Sequence, residues 1–390
     1  MKLDYQTYTL SENIKIFFSD NGAPPNSDDY TTIVVCHGSG FNGHGLERMH
    51  NVSHSLNLRT VIFNRRQYPG STKYSDSELE DLKQGRKVFI DRIGKVMAEF
   101  LLQFIKKEKI PKASEDMKEG GIAVMTWSMG TPSGMALFSD QNIVPHEDYL
   151  VLEKYVKDLV CDVIPTDPPH LCFGFKVPDD IKSYDPWTDR ELKTLPEKFK
   201  QFSNWVSTYF DHPNPETGKL QDMDLTTKGS ENSTIMKWSP EELQRNFDAG
   251  AAVFEFPMFV EPMQTTLREM TERVLYDDNL IRSYFPRLKV TLLYASQTNW
   301  HCFWGPKELE RTYNEHVSRG GSARPLKVYK MDGNHMVSSL TSDTVGAERL
   351  IATPSHSLAT LGKSGAFATG NGGRIEKVVL SETCYATETS

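Results

Sequence analysis

The sequence predicts an α/β protein: a mostly parallel central sheet with helices on both faces and an inserted helical segment. Three observations predict it. Short apolar or β-branched runs alternate with helix-patterned stretches through the first part of the chain. A strand, a tight turn and a helix follow one another around Ser128. The alternation stops near His170 and resumes after Phe285, with a stretch rich in aromatics and methionine between.

Taken in order, Ile14 to Phe18 reads as a first strand and Thr32 to Cys36 as a buried, β-branched one. A helical stretch to about Leu56 and a strand from Arg59 to Phe63 follow. One long amphipathic helix is expected from about Ser77 to Lys109, with Val88, Ile93, Val96, Phe100, Leu101 and Phe104 on its apolar side and Pro111 stopping it. Ile122 to Met125 suits a buried strand, and Leu159 to Ile164 another. After the insert come a strand over Leu288 to Tyr294, a helix over Pro306 to Ser318, a strand over Leu326 to Met331 and a last helix to about Ala352. The domain expectation is a core in two parts, 1–169 and 286–352, a helical cap over 170–285, and a poorly ordered tail over 353–390 with a short strand at Lys377 to Leu380.

Composition excludes several classes. The chain has 390 residues and a net charge of −8, which argues against nucleic acid or an anionic membrane surface as a partner. No stretch reaches the apolar length of a membrane span, and the N-terminus lacks a secretory h-region. Five scattered cysteines suggest reduced thiols and a cytoplasmic location, which would leave the sequons at Asn51 and Asn232 idle. No sequence feature sets the oligomeric state.

Chemistry concentrates at strand ends, where open α/β sheets bind ligands. Thr126-Trp127-Ser128-Met129-Gly130 turns the chain so as to lift a serine hydroxyl clear of the sheet. The bland reading of Ser128 is a helix cap. His335 follows the last strand in a Gly-Asn-His turn and could act as base. His37-Gly38-Ser39-Gly40-Phe41 offers backbone N–H groups at Ser39 and Gly40 for an oxyanion, and the Met129 N–H is a further donor. Trp127, Phe41, Trp205 and Phe256 are the aromatics expected to line a substrate pocket.

These segments, together with Asn64 to Thr72 and Gly333-Asn334-His335, resemble fungal serine-dependent members of the α/β-hydrolase superfamily over roughly Leu10 to Leu350. Thr126 stands where that family prefers glycine. The resemblance implies the α/β-hydrolase fold, a serine, acid, histidine triad in that chain order, and no cofactor. Ser128 and His335 fit the order. The acid departs from it, because the loop after Tyr294, Ala295 to Trp300, holds no carboxylate. Asp167, in the loop after the previous strand, is the expected acid. Asp162 is a second candidate, and Asn299 could orient the histidine without charge. The expected activity is acyl hydrolysis, and the aromatics and methionines of the insert make an ester, lactone or thioester of a bulky apolar small molecule the expected substrate. Epoxide hydrolases and dehalogenases of this fold carry a carboxylate at the elbow, so Ser128 argues against both.

Other readings compete. Gly38-Ser39-Gly40-Phe41-Asn42-Gly43 is a literal G-x-G-x-x-G, and Arg65 or Arg66 could take a 2′-phosphate, which would make an NADP-dependent reductase. A non-catalytic binder, a lyase or an acyltransferase could use the same fold. His50 with His54, His170 with Cys172, and His301 with Cys302 lack the partners of a zinc site, so no metal is expected.

Overall fold

The computed structural model describes residues 3–161 and 168–336. The chain divides into two compact units, 1–355 and 356–390, and every described residue belongs to the first. The expected tail, its short strand, the helix to Ala352 and the end of the strand expected over Leu159 to Ile164 lie outside the described residues.

Among the described residues, eight strands form one sheet in the order β1-β2-β4-β3-β5-β6-β7-β8. They are β1 (Asp4–Thr9), β2 (Lys15–Asp20), β3 (Thr31–Cys36), β4 (Leu58–Phe63), β5 (Ile122–Thr126), β6 (Val156–Cys161), β7 (Lys289–Ala295) and β8 (Leu326–Met331). β1 pairs with β2 and β2 with β4 antiparallel, and the remaining pairings are parallel. Every residue of β3, β4 and β5 is buried, as parallel strands covered on both faces require. Successive residues serve opposite faces. Val34 and Val124 belong to one core, Ile33, Val35, Ala123 and Met125 to the other.

The first core is closed by α2 (Lys87–Glu108), whose buried Phe89, Ile90, Met97, Phe100, Leu101, Phe104 and Ile105 keep a helical period. The expected single helix from Ser77 to Lys109 is two. α1 (Asp76–Lys83) opens with a Ser75–Glu78 capping box and ends before Gly85, whose φ of +64° suits no helix. A side chain there would also collide with Pro262. Val88, expected on the apolar side, is exposed at the start of α2.

β1 was not expected, because its residues are mostly exposed and only Tyr8 is buried. After the β5 turn come α3 (Thr131–Ala136) and α4 (His146–Leu152). Between β6 and β7 the described residues form only helices, 3₁₀ turns and loops, plus an isolated bridge from Phe247 to Phe41. The longest of these helices are α5 (Leu195–Val206) and α6 (Met263–Tyr276). α6 packs into the first core through Met263, Leu267, Met270 and Val274, whereas Trp205 and Val206 of α5 join the second. The helix expected at Pro306 begins earlier, as α7 (Trp300–Ser318), because Asn299 caps it.

Candidate active site

β5 delivers Ser128 to the sheet edge on a strained turn. Trp127 is still extended, with its N–H on the Cys36 carbonyl at 2.8 Å. Ser128 then takes a φ of +50°, the left-handed region that non-glycine residues seldom occupy. The turn closes with the Gly130 N–H on the Trp127 carbonyl at 2.7 Å, and α3 starts at Thr131-Pro132. Gly130 is dictated by proximity: a Cβ would come within 2.5 Å of the His37 carbonyl and 2.7 Å of the Cys36 carbonyl. Thr126 is accommodated where glycine was expected, buried and with its hydroxyl 3.3 Å from that of Thr131.

His335 reaches the same point from the far side of the sheet. Its Nε2 lies 3.2 Å from the Ser128 Oγ, and the two residues are 2% and 9% exposed. The turn that carries it is pinned by the neighbouring Asn334. The Asn334 amide donates to the Ser207 carbonyl at 2.6 Å and to Thr234 Oγ1 at 3.0 Å, and its oxygen accepts from the Met336 N–H. The insert therefore positions the histidine turn, a role the sequence reading had not given to Asn334. A serine hydroxyl within hydrogen-bond reach of an imidazole nitrogen is the arrangement that base-assisted nucleophilic attack requires.

The loop after β3 is held by a buried ionic network. Arg65 pairs with Glu255 of the insert at 2.6 Å and donates to the Gly38 carbonyl at 2.8 Å. Tyr68 donates to Glu255 at 2.8 Å and accepts the Gly40 N–H at 2.9 Å. Burial, with Glu255 beside it, holds the Tyr68 phenol well above its usual range, so it stays protonated. His37 is pushed well below the usual imidazole range by burial and by Arg65, and as a neutral ring its Nδ1–H donates to the Gly38 carbonyl while Nε2 accepts the Arg65 N–H.

This corrects one expected oxyanion donor. The Gly40 N–H is taken by Tyr68, so it is not aimed at Ser128. No described residue accepts from the Ser39 N–H, and the Met129 N–H sits in the first turn after the elbow, where helical N–H groups lack intrahelical partners. Ser39 and Met129 both line the cavity above Ser128.

The same contacts count against a dinucleotide site. The Gly43 N–H is bonded to Asn64, the loop opens a 3₁₀ turn, and Arg65 and Arg66 are paired with Glu255 and Glu78. Those N–H groups and cations are already engaged within the protein.

The cavity has a volume of about 830 Å³, within the range of small-molecule sites. Ser128 and His335 line it, as do Trp205 and Phe256. Trp127 and Phe41 do not. They pack on each other at 5.6 Å between ring centroids, Trp127 lies 6.0 Å from the His335 ring, and Phe41 is covered by Phe247 at 4.9 Å. The sequence reading missed His170, Asp185 and His301 as lining residues. The two histidines had been weighed only as metal ligands, and among the described residues no three His, Cys, Asp or Glu side chains gather around a possible ion. Asn299 also lines the cavity, with its oxygen accepting the Cys302 N–H as the cap of α7. Asp162 and Asp167 lie outside the described residues.

No family model matches the chain, and no curated protein matches it in sequence. Solved structures similar to it include a thioesterase domain from the curacin biosynthetic pathway, at 11% identity over 91% of this chain and 99% of that one, with a TM-score of 0.45. A bromoperoxidase from Bacillus anthracis is similar at 12% identity over 90% and 99%, with a TM-score of 0.47. Epoxide hydrolase A from Mycobacterium thermoresistibile is similar at 11% identity over 90% and 98%, with a TM-score of 0.44. These likenesses leave the chemistry to be read from the residues. The eight-stranded order, with a serine elbow after β5 and a histidine after β8, is that of the α/β-hydrolase fold. Among the described residues, no helix is long and apolar enough to cross a membrane.

Proposed function

We propose that the protein is a serine hydrolase that cleaves an ester, lactone or thioester of a bulky small molecule. The observation that carries this reading is the 3.2 Å approach of His335 Nε2 to a Ser128 hydroxyl held on a strained elbow. Ser128 Oγ attacks the acyl carbonyl as its proton passes to His335 Nε2, and the N–H groups of Met129 and Ser39 receive the negative charge on the carbonyl oxygen. The tetrahedral adduct expels the alcohol or thiol, which takes the proton from His335. Water, deprotonated by the same imidazole, then releases the acid and restores Ser128.

Asp167 is the proposed orienter of His335. Its place in the sequence, shortly after the last residue of β6 and just before Pro168-Pro169, supports the choice, and Asn299 is a weaker candidate because its oxygen already caps α7. Residues 170–285 are the proposed cap, since their aromatics line the cavity above Ser128.

Steady-state hydrolysis of aryl esters tests the reading. Asp167→Asn should lower kcat by at least about 100-fold with the fold intact. Unchanged turnover in Asp167→Asn, with loss in Asn299→Ala, would move the orienting role to Asn299.

A further inference from the structure

Part of the cavity is polar in a way that ester hydrolysis does not use. His170, Asp185, Trp205 and His301 come from four separate stretches of the chain, and all line it. They form one cluster. The His301 ring lies 5.0 Å from that of His170 and 5.3 Å from that of Trp205, and its Nε2 is 3.8 Å from Asp185 Oδ2. That last distance is too long for a hydrogen bond.

The donors and acceptors can be assigned. A carbonyl oxygen can only accept, so the 2.8 Å contact between His170 Nδ1 and the Phe175 carbonyl puts the ring proton on Nδ1. Burial drives His170 down to about 3, with a smaller contribution from the neighbouring His301, so the ring is neutral near pH 7 and its Nε2 is a bare acceptor. Burial alone drives His301 down to about 3. Asp185 Oδ1 accepts the Trp187 N–H at 2.8 Å. The indole N–H of Trp205 can only donate. Among the described residues, His170 Nε2, His301 Nε2 and Trp205 Nε1 are buried without a hydrogen-bond partner. Leaving a buried donor or acceptor unpaired costs about 1–3 kcal/mol each, and packing alone gives no reason to gather three.

We propose that these four side chains form a polar subsite that binds a neutral hydroxyl group carried on a ring of the substrate. The subsite deepens the hydrolase reading by naming a substrate class, esters, lactones or thioesters of hydroxylated cyclic compounds. It rests on that reading only for the position of the scissile bond. A hydroxyl both donates and accepts, so it can match either a bare imidazole nitrogen or the Trp205 N–H of this cluster. A cation has no acceptor to offer the indole, and an anion would face Asp185 and the His170 lone pair. The ring is suited to flat apolar neighbours, which Trp187, Phe202 and Phe256 supply on the cavity wall.

The test uses naphthoate methyl esters matched in all but one substituent, a hydroxyl, a methoxyl or hydrogen, over a panel of ring positions. Binding is read from tryptophan fluorescence in Ser128→Ala protein, where nothing turns over, and kcat/KM is read in the unaltered protein. At one or more positions the hydroxyl ligand should bind about 10–100-fold more tightly than the unsubstituted one, and the methoxyl ligand no better than hydrogen. Trp205→Phe and His301→Phe should each reduce that ratio. No position with a preference above about twofold overturns the subsite, as does a preference that survives both substitutions in folded protein. Turnover without hydroxyl preference contradicts the subsite alone. Preference in binding with no turnover of any ester contradicts the hydrolase reading and leaves the subsite standing.

Discussion

The floor and the wall of the cavity are built from different material. The floor consists of sheet-edge turns: the Ser128 elbow, the loop after β3 and the histidine turn after β8. Its turns are held by short contacts, from the Gly130 N–H on the Trp127 carbonyl to the Arg65–Glu255–Tyr68 network, although Arg65 Nε and Trp127 Nε1 are buried without a partner among the described residues. The wall consists of aromatic and histidine side chains from the insert and from α7, and three of its buried polar atoms have no partner among the described residues. A floor that fixes its groups in advance suits charge stabilisation, because donors that are already aimed need no reorganisation during reaction. A wall with unmatched groups suits selection of a ligand that matches them. On the proposed function, reaction belongs to the floor and recognition to the wall.

The largest effect should come from the floor. Ser128→Ala is expected to lower ester kcat by about 10⁴-fold or more while ligand binding persists, measured by kinetics and by fluorescence on the same preparation. Equal losses of binding and turnover would erase the distinction between the two regions.

A smaller floor effect should follow Tyr68→Phe, which frees the Gly40 N–H and removes one contact to Glu255. If Tyr68 acts by holding the loop that presents Ser39, kcat should drop about 10-fold with KM little changed. A rate that holds or rises would show that the Gly40 N–H can serve as an oxyanion donor once released.

The two regions were also unequally legible in the sequence. Ser128 and His335 could be placed because each follows a recognisable strand, and a strand end fixes where a side chain stands. β3, β4, β5, β7 and β8 could be read because their runs are short and apolar or β-branched. β1 could not, since an edge strand with one buried residue, Tyr8, shows no burial pattern. The break at Gly85 was hidden by an amphipathic pattern that continues across it. Neither the network nor the wall has a local signature. Tyr68 and Glu255 are 187 positions apart, and the hydrogen bond between them depends on how the insert packs. His170 and His301 sit beside cysteines in the sequence, a pattern that invites a metal reading, whereas the fold places them against tryptophans. The error at Phe41 and Trp127 has the same origin: their position in the chain is correct for a pocket, but they are covered by each other and by Phe247.

In the wall, Trp205→Ala and Phe256→Ala should shift the ester preference towards longer acyl chains and lower kcat/KM for bulky aryl esters by about 10-fold, as lost apolar contact area predicts. Profiling nitrophenyl esters by chain length checks this. An unchanged profile in folded variants would remove the insert from substrate selection.

The wall should also carry an acid sensitivity. Burial lowers His170 and His301 to about 3 in the folded state, against about 6.5 when unfolded. Between those values the unfolded chain binds more protons, so the stability these residues permit is intact above about pH 6.5 and declines as the pH falls towards 3. Asp158, raised to about 6 by burial, works in the opposite direction. His301→Phe should flatten the decline below pH 6 by up to about 1.4 kcal/mol per pH unit, read from urea midpoints at constant slope. An unaltered slope would mean that His301 is not held neutral by its surroundings.

The most direct measurement is covalent labelling with a fluorophosphonate serine probe, followed by mass spectrometry of the peptides. One adduct is expected, on Ser128, absent in Ser128→Ala and formed far more slowly in His335→Ala. An adduct on another serine, or none on a folded protein, would contradict Ser128 as the nucleophile.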